Sequence, residues 1–230
     1  MFLERSVKEG RTHIQFEDIT QRFGLVEKSH RIGEIDIKVA QVKRVDEMVS
    51  ELSPAAVTTY GDAPVWMITW PPAFGLAEYL LLNQPGKKLR ALKLGCGTAA
   101  PGIALAKAGA RVTCTDYDHL ALAMARHNAS LNGCSSLTTS FLDWYQPNLE
   151  GSFDLIIGSE VIYFEKSFRP LLAVLKRYLT PNGLIVLSDQ WRIQMMSFLE
   201  LCAAEGFTSH QFSQTVYLPD HNQPIRITIV

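Results

Sequence analysis

Two glycines flanking a cysteine, Gly95-Cys96-Gly97, and a carboxylate about 20 residues beyond them, Asp116, are the residue types a nucleoside ligand needs at that spacing. Glycine lets the backbone approach a ligand closely, and an aspartate can accept hydrogen bonds from both hydroxyls of a ribose. The elements that must position them are legible on either side. Residues 91–95 form a short apolar run that rises into the glycines, and Ile103 to Ala110 is an alanine-rich helical stretch behind them. Val112-Thr113-Cys114-Thr115 is a second strand that ends in Asp116. On its own, a GxG pair also serves a tight turn with close helix packing. Strand, turn, helix, strand and acid in this order instead describe the carboxyl end of an α/β sheet, where a nucleotide-like ligand meets a helix N-terminus.

The loop chemistry narrows the ligand. A dinucleotide carries a pyrophosphate, which favours GxGxxG with bare backbone N–H groups. Here Ala100 occupies the third glycine position, and Pro101, which has no N–H, follows it. The pattern disfavours NAD without eliminating it, and points to a phosphate-free adenosine cofactor such as S-adenosylmethionine.

Size and charge set the frame. The 230 residues suffice for one large α/β domain with an N-terminal extension. The formal net charge of -1 gives no whole-molecule electrostatic footprint for nucleic acid. The cysteines at 96, 114, 134 and 202 form no CxxC pair, and no histidine stands at zinc-ligand spacing, so no metal site is expected. Reduced thiols in the cytoplasm are the simplest account. No apolar run approaches the roughly 18 residues of a membrane span, and Met1-Phe2-Leu3-Glu4-Arg5 lacks a signal-peptide core. The expectation is a soluble, cytoplasmic protein.

Hydropathy patterning supplies the rest of the scaffold. Ile35, Ile37 and Val39 alternate with Glu34, Asp36 and Lys38, which predicts a half-exposed strand. Its expected partner is the segment near 23–28, across a polar turn at Lys28-Ser29-His30. Val42, Val45, Met48, Val49 and Leu52 follow helical spacing up to Ser53-Pro54. Residues 1–55 are therefore read as an extension and 56–230 as the ligand-binding domain. Beyond a Trp- and Pro-rich stretch at 64–72, a helix is expected over 73–82. Strands at 91–95, 111–115, 136–141, 153–158 and 183–188 then alternate with helices at about 99–109, 118–132, 166–179 and 191–205. That rhythm predicts an α/β fold with a doubly wound, mostly parallel sheet. Residues 211–218 and 225–230, around Pro219 to Pro224, predict an antiparallel C-terminal hairpin at one edge.

At these residues the chain resembles the class I S-adenosylmethionine-dependent methyltransferases. It looks most like the seven-strand protein-lysine methyltransferases related to the methyltransferase-like 21 and electron-transfer-flavoprotein β-subunit enzymes. The resemblance rests on Ile68-Thr69-Trp70-Pro71, on Leu94-Gly95-Cys96-Gly97-Thr98 with Pro101-Gly102, and on Asp116. Asp143-Trp144 and Gly158-Ser159-Glu160-Val161-Ile162-Tyr163 complete it, over roughly residues 60–205. It implies a Rossmann-like seven-stranded sheet and S-adenosylmethionine as cofactor. By the same resemblance Gly95, Cys96 and Gly97 form the loop at the methionine moiety and Asp116 holds the ribose. Asp143 and Trp144 border the adenine, Ser159 contributes backbone, and Trp70 closes the pocket. The chain departs from the family at Ala99, a common glycine, and at Lys93, where an acid usually helps hold the cofactor's amino group. A lysine there repels that group and the sulfonium unless an acid such as Asp116 or Glu160 neutralises it, which is the arrangement expected.

The implied chemistry is in-line transfer of a methyl group to a nucleophile. An amine with a pKa near 10.4 arrives protonated, so the site must accept its proton. Glu160, read as a variant of the family's Asp-x-x-Tyr acid, is the expected group to steer and deprotonate an ammonium, and Tyr163 to shape its channel. A lysine of a protein substrate is the expected acceptor. The rival readings are a small amine or a nucleic-acid base as acceptor, or a catalytically weak cofactor-fold module that binds a partner.

Overall fold

The computed structural model describes residues 16–45, 47, 65–83, 88–217 and 222–230. Five segments pair in parallel: β3 (Arg90–Leu94), β4 (Arg111–Asp116), β5 (Leu137–Phe141), β6 (Phe153–Ser159) and β7 (Leu179–Asp189). The central strands β3 and β6 are mostly apolar and buried on both faces, as a parallel sheet covered by helices requires, whereas β5 at the edge is polar and partly exposed. Two further strands, β8 (His210–Tyr217) and β9 (Asn222–Ile229), form an antiparallel hairpin. The sheet order is β5-β4-β3-β6-β7-β9-β8, so β9 inserts between β7 and β8, antiparallel to both. The seven-stranded, mostly parallel sheet and the C-terminal hairpin match the sequence expectation. Of the expected turn from Pro219 to Pro224, residues 222–224 already belong to β9, paired with β8, and 219–221 lie outside the described residues.

Helices cover both faces because the strand side chains alternate between them. Ala91, Leu155 and Ile157 belong to the core on the side of α2 (Pro71–Asn83), α3 (Ala100–Lys107) and α4 (His119–Leu131). Leu92, Leu94 and Ile156 belong to the core on the side of α5 (Phe168–Tyr178) and α6 (Gln194–Ala204). Each helix lies within the stretch the hydropathy pattern assigns to it, apart from α2, which begins at the Pro71-Pro72 pair. Among the described residues no helix is long and apolar enough to cross a membrane, and all four cysteines are free.

The N-terminal part differs from expectation in its turn. After α1 (Phe16–Phe23), β1 (Leu25–Ile32) pairs with β2 (Ile35–Val42), and Ile32 faces Ile35 across a two-residue turn at Gly33-Glu34. Gly33 takes φ +60, which glycine adopts without strain. Lys28-Ser29-His30 is therefore strand and not turn; its polarity reflects the exposed side of a two-stranded ribbon. The helix read over 42–52 and the boundary at 55/56 fall largely outside the described residues.

This ribbon is fastened to α4 by side chains alone. The Ala40 N–H donates to Asn128 Oδ1 (2.7 Å) and Asn128 Nδ2 donates back to the Ala40 carbonyl (3.0 Å). One turn along, the Lys38 N–H donates to Asn132 Oδ1 (2.9 Å) and Asn132 Nδ2 to the Lys38 carbonyl (2.7 Å). Two residues of strand advance about 6.7 Å and four residues of helix about 6 Å. The two asparagines thus mimic the facing edge of a third strand and close an edge that would otherwise invite pairing.

Candidate active site

Strand order reverses between β3 and β6, because the chain runs outward from β3 through β4 to β5 and outward again from β6 to β7. A crevice opens at the carboxyl ends of strands at such a point. Here it is a cavity of about 620 Å³, the size of a cofactor site. All ten sequence-predicted site residues line it: Trp70 before α2; Gly95, Cys96 and Gly97 after β3; Asp116 ending β4; Asp143 and Trp144 after β5; and Ser159, Glu160 and Tyr163 at the end of β6.

The turn after β3 is built from three positive-φ residues, Gly95 (+54), Gly97 (+50) and Ala99 (+64). Gly97 is glycine for its backbone angle, since a Cβ there would make only ordinary contacts with Trp66. Ala99 holds the left-handed position with its methyl, at a cost of about 1–2 kcal/mol. The Cys96 N–H donates to the Thr115 carbonyl (2.8 Å), which ties the turn to β4, while its buried thiol points away towards Ala121. Asp116 accepts from the Asp118 N–H (3.1 Å) and the Gly97 N–H (3.4 Å). Burial outweighs those bonds and raises its pKa to about 6.

Asp143 accepts from the Tyr145 N–H (2.9 Å), forming a local turn that turns Trp144 against the second core. Trp70 donates its indole N–H to the Val65 carbonyl (3.0 Å), and Thr69 and Thr98 share a hydrogen bond of 2.7 Å, joining that segment to the glycine turn. Two buried polar atoms among the described residues lack any partner, Trp66 Nε1 and Ser159 Oγ, and both residues belong to the cavity wall. Buried polar atoms are normally paired, so both are unmet hydrogen-bonding groups beside the cavity.

Two charges differ from expectation. Lys93 is not neutralised by a carboxylate: its Nζ donates to the carbonyls of Leu94 (2.8 Å) and Gly95 (2.8 Å). Burial lowers its pKa, and Asp116 opposes that shift only as the weakest of several favourable charges. The geometry explains why, since both carbonyls lie within reach of a side chain that starts one or two residues away. Glu160, expected to project freely towards the acceptor, is engaged. It accepts from the Gln190 N–H (2.7 Å) and forms an ion pair with Arg192 Nε. Its backbone is left-handed, φ +54, and its N–H donates to the Ser188 carbonyl (2.8 Å). Arg192 is in turn placed by Asp189 Oδ1, which accepts from its N–H (2.7 Å), and by Arg226, which donates to its carbonyl (2.6 Å). Arg226 forms a two-pronged, fully buried pair with Asp189 at 3.0 and 2.7 Å.

Sequence reasoning missed Arg192, Asp189 and Arg226. The Glu160–Arg192 and Asp189–Arg226 pairs each span more than 30 residues, and nothing local marks them. Tyr163 lies within electrostatic reach of both ends of the cavity. Burial raises its phenol pKa, the Asp116 charge raises it further, and Arg192 opposes.

Comparison with known proteins agrees with this geometry. The profile of the lysine methyltransferase family matches residues 57–204. Protein N-lysine methyltransferase METTL21A of Mus musculus is 36% identical over 136 residues, 55% of this chain and 62% of that protein. Histone-arginine methyltransferase METTL23 of Xenopus laevis is 30% identical over 159 residues, 65% of this chain and 66% of that protein. The chain thus matches somewhat less than two thirds of the length of either relative. Among solved structures, a ribosomal protein L11 methylase from Lactobacillus delbrueckii subsp. bulgaricus shares the fold, with a TM-score of 0.55 at 23% identity over 71% of this chain and 80% of that one. With the family profile covering well over half its length, the chain belongs to the lysine methyltransferase family.

Proposed function

We propose that this protein is an S-adenosylmethionine-dependent methyltransferase that methylates a lysine side chain of a protein substrate, with residues 56–230 as its catalytic domain and 1–55 as an extension. The observation that carries the reading is that one cavity is lined both by the glycine turn with Asp116 and by Glu160 with Tyr163. The residues fit the cofactor. The cavity has the volume for it, Asp116 is an acceptor held out of water, and Trp66 Nε1 and Ser159 Oγ are unpaired on the wall. When bound, the cofactor supplies an electrophilic methyl group on a sulfonium. Asp116 accepts the ribose hydroxyls, Trp144 and Asp143 border the adenine, Gly95, Cys96 and Gly97 admit the methionine end, and Trp70 covers it.

The acceptor's proton falls to Glu160. An incoming ammonium shares its carboxylate with Arg192, and Glu160 holds or takes the proton while Tyr163, kept as a neutral phenol by burial, lines the approach. Relatives named for lysine and for arginine methylation leave two cationic acceptors, and a carboxylate at the acceptor end suits either. Lysine is favoured here because Arg192 already satisfies one face of Glu160, leaving a point charge the easier fit. Free thiols at all four cysteines support a reducing, cytoplasmic compartment. Labelled-methyl transfer into a cell lysate, followed by mass spectrometry of the modified residue, tests the reading. Methyl-lysine in a protein supports it, methyl-arginine moves the acceptor, and label in nucleic acid overturns it. With the substrate in hand, Glu160→Gln is expected to reduce transfer by about 10²–10⁴-fold while cofactor affinity stays within a few-fold. Unchanged turnover would remove Glu160 from the reaction.

A further inference from the structure

Lys93 is 2% exposed, yet among the described residues its ammonium forms no ion pair with a carboxylate; Asp116 acts on it only at longer range. Two of its three N–H donors are taken by the carbonyls of Leu94 and Gly95, and the third has no acceptor among the described residues. A buried cation in this state is costly unless a counter-charge arrives. Ser159 presents a second unmet need, a buried hydroxyl with no partner. The sheet brings the two together. β3 and β6 are adjacent, Lys93 stands beside Ile157 in the register, and Ser159 lies two residues beyond Ile157. Lys93 follows Ala91 and Ser159 follows Ile157 at strand spacing, and both Ala91 and Ile157 face the α2–α4 core. Both side chains therefore rise from the same sheet face at neighbouring strand ends, and both residues line the cavity.

We propose that Lys93 and Ser159 form an anion subsite that takes the α-carboxylate at the amino-acid end of the adenosine cofactor. The inference rests on the methyltransferase reading and adds to it the residues that hold that end. The lysine at this position then exchanges the usual recognition of the cofactor's amino group for recognition of its carboxylate. Lys93 donates its remaining N–H to one carboxylate oxygen, and Ser159 Oγ donates to the carboxylate as well. The ammonium gains a direct ion-pair partner, where the folded chain supplies only the more distant Asp116 charge. The Asp116 carboxylate, also in the cavity, remains available for the ribose.

Three ligands separate the contributions by isothermal titration calorimetry: S-adenosylhomocysteine, its decarboxylated analogue S-adenosyl-3-thiopropylamine, and 5′-methylthioadenosine, which lacks the amino-acid end. Wild-type protein is expected to bind S-adenosylhomocysteine about tenfold to a hundredfold more tightly than the decarboxylated analogue, the worth of a hydrogen bond to a charged group. In Lys93→Met that gap shrinks to less than about threefold, while affinity for 5′-methylthioadenosine is unchanged. Ser159→Ala removes a hydroxyl without a partner, so it leaves the unliganded melting temperature unchanged and narrows the same gap by a few-fold. It keeps the test decisive should Lys93→Met fail to fold. An equal gap in wild type and variants, or tighter S-adenosylhomocysteine binding by Lys93→Met, overturns the subsite while leaving the cofactor reading intact. Failure of all three ligands to bind wild-type protein overturns both.

Discussion

Asp116 carries the heaviest burden of any single residue. Its carboxyl is buried in a cavity wall with two backbone N–H groups, the longer at 3.4 Å, and burial raises its pKa to about 6. A carboxylic acid whose folded pKa stands above its unfolded value contributes stability that is full below about pH 4 and is lost as pH rises through about 6. At neutral pH the protein therefore holds a charge that burial opposes, ready for two hydroxyl donors. It follows that S-adenosylhomocysteine affinity is flat above about pH 7 and falls as pH drops through about 6, approaching tenfold per unit as the acceptor protonates. Titration calorimetry across pH 5–8 checks this, and Asp116→Asn should bind weakly with no inflection. A flat wild-type profile would remove Asp116 from the ribose. The place of Asp116 in the cavity was legible because it is tied to spacing: it follows the glycines by one helix and one strand. Lys93 and Glu160 were legible as positions and not as contacts. The carbonyls that hold Lys93 and the arginine that holds Glu160 are set by backbone geometry and by a strand far along the chain.

At the scale of elements, the N-terminal ribbon depends on helix α4 through Asn128 and Asn132. Asparagine is a poor helix former, and inside an alanine-rich helix the sequence offers no local reason for Asn128; Asn132, four residues on, is the C-cap before Gly133. The reason lies on β2, whose groups at Lys38 and Ala40 they satisfy, and Asn128 Nδ2 also donates to the Thr98 carbonyl (3.0 Å) in the glycine turn. Asn128→Ala leaves the Ala40 N–H and the Ala40 and Thr98 carbonyls without partners at a fully buried position, so about 3 kcal/mol of stability should be lost. Asn132, partly exposed, should cost about 1 kcal/mol or less as alanine, because water replaces it. Urea melts of the two variants check the ranking. Equal losses would mean that the ribbon is held by its apolar contacts with the core and not by the amide ladder. Contacts such as these also show why the ribbon's turn was misplaced in the sequence: a polar run is compatible with both a turn and a solvent-facing strand, and the decision rests with a helix about a hundred residues away.

For the molecule as a whole, alternation of strands and helices was enough to read a doubly wound sheet, but not its strand order; the insertion of β9 between β7 and β8 leaves no local mark. The order matters because it sets the cavity between the β3–β5 and β6–β7 halves, with walls drawn from the ends of β3, β4, β5 and β6 and from the segment before α2. A ligand that fills it bridges both halves, so its binding energy should appear in the unfolding of the whole sheet. Binding to the native state alone adds RT ln(1 + [L]/Kd), about 2.7 kcal/mol at a hundredfold excess over Kd. For a chain of this length each kcal/mol moves the midpoint by about 2–4 °C, so S-adenosylhomocysteine should raise Tm by about 5–10 °C in one cooperative transition. NAD at the same concentration should leave Tm unchanged, because Pro101 removes a backbone N–H from the first turn of α3 where a pyrophosphate would sit. Asp116→Ala should abolish the shift. Differential scanning calorimetry reads all three, and a second, unshifted transition would mean that the halves unfold separately and that the ligand rests on one of them. A shift with NAD and none with S-adenosylhomocysteine would replace the methyl-donor reading with a redox one.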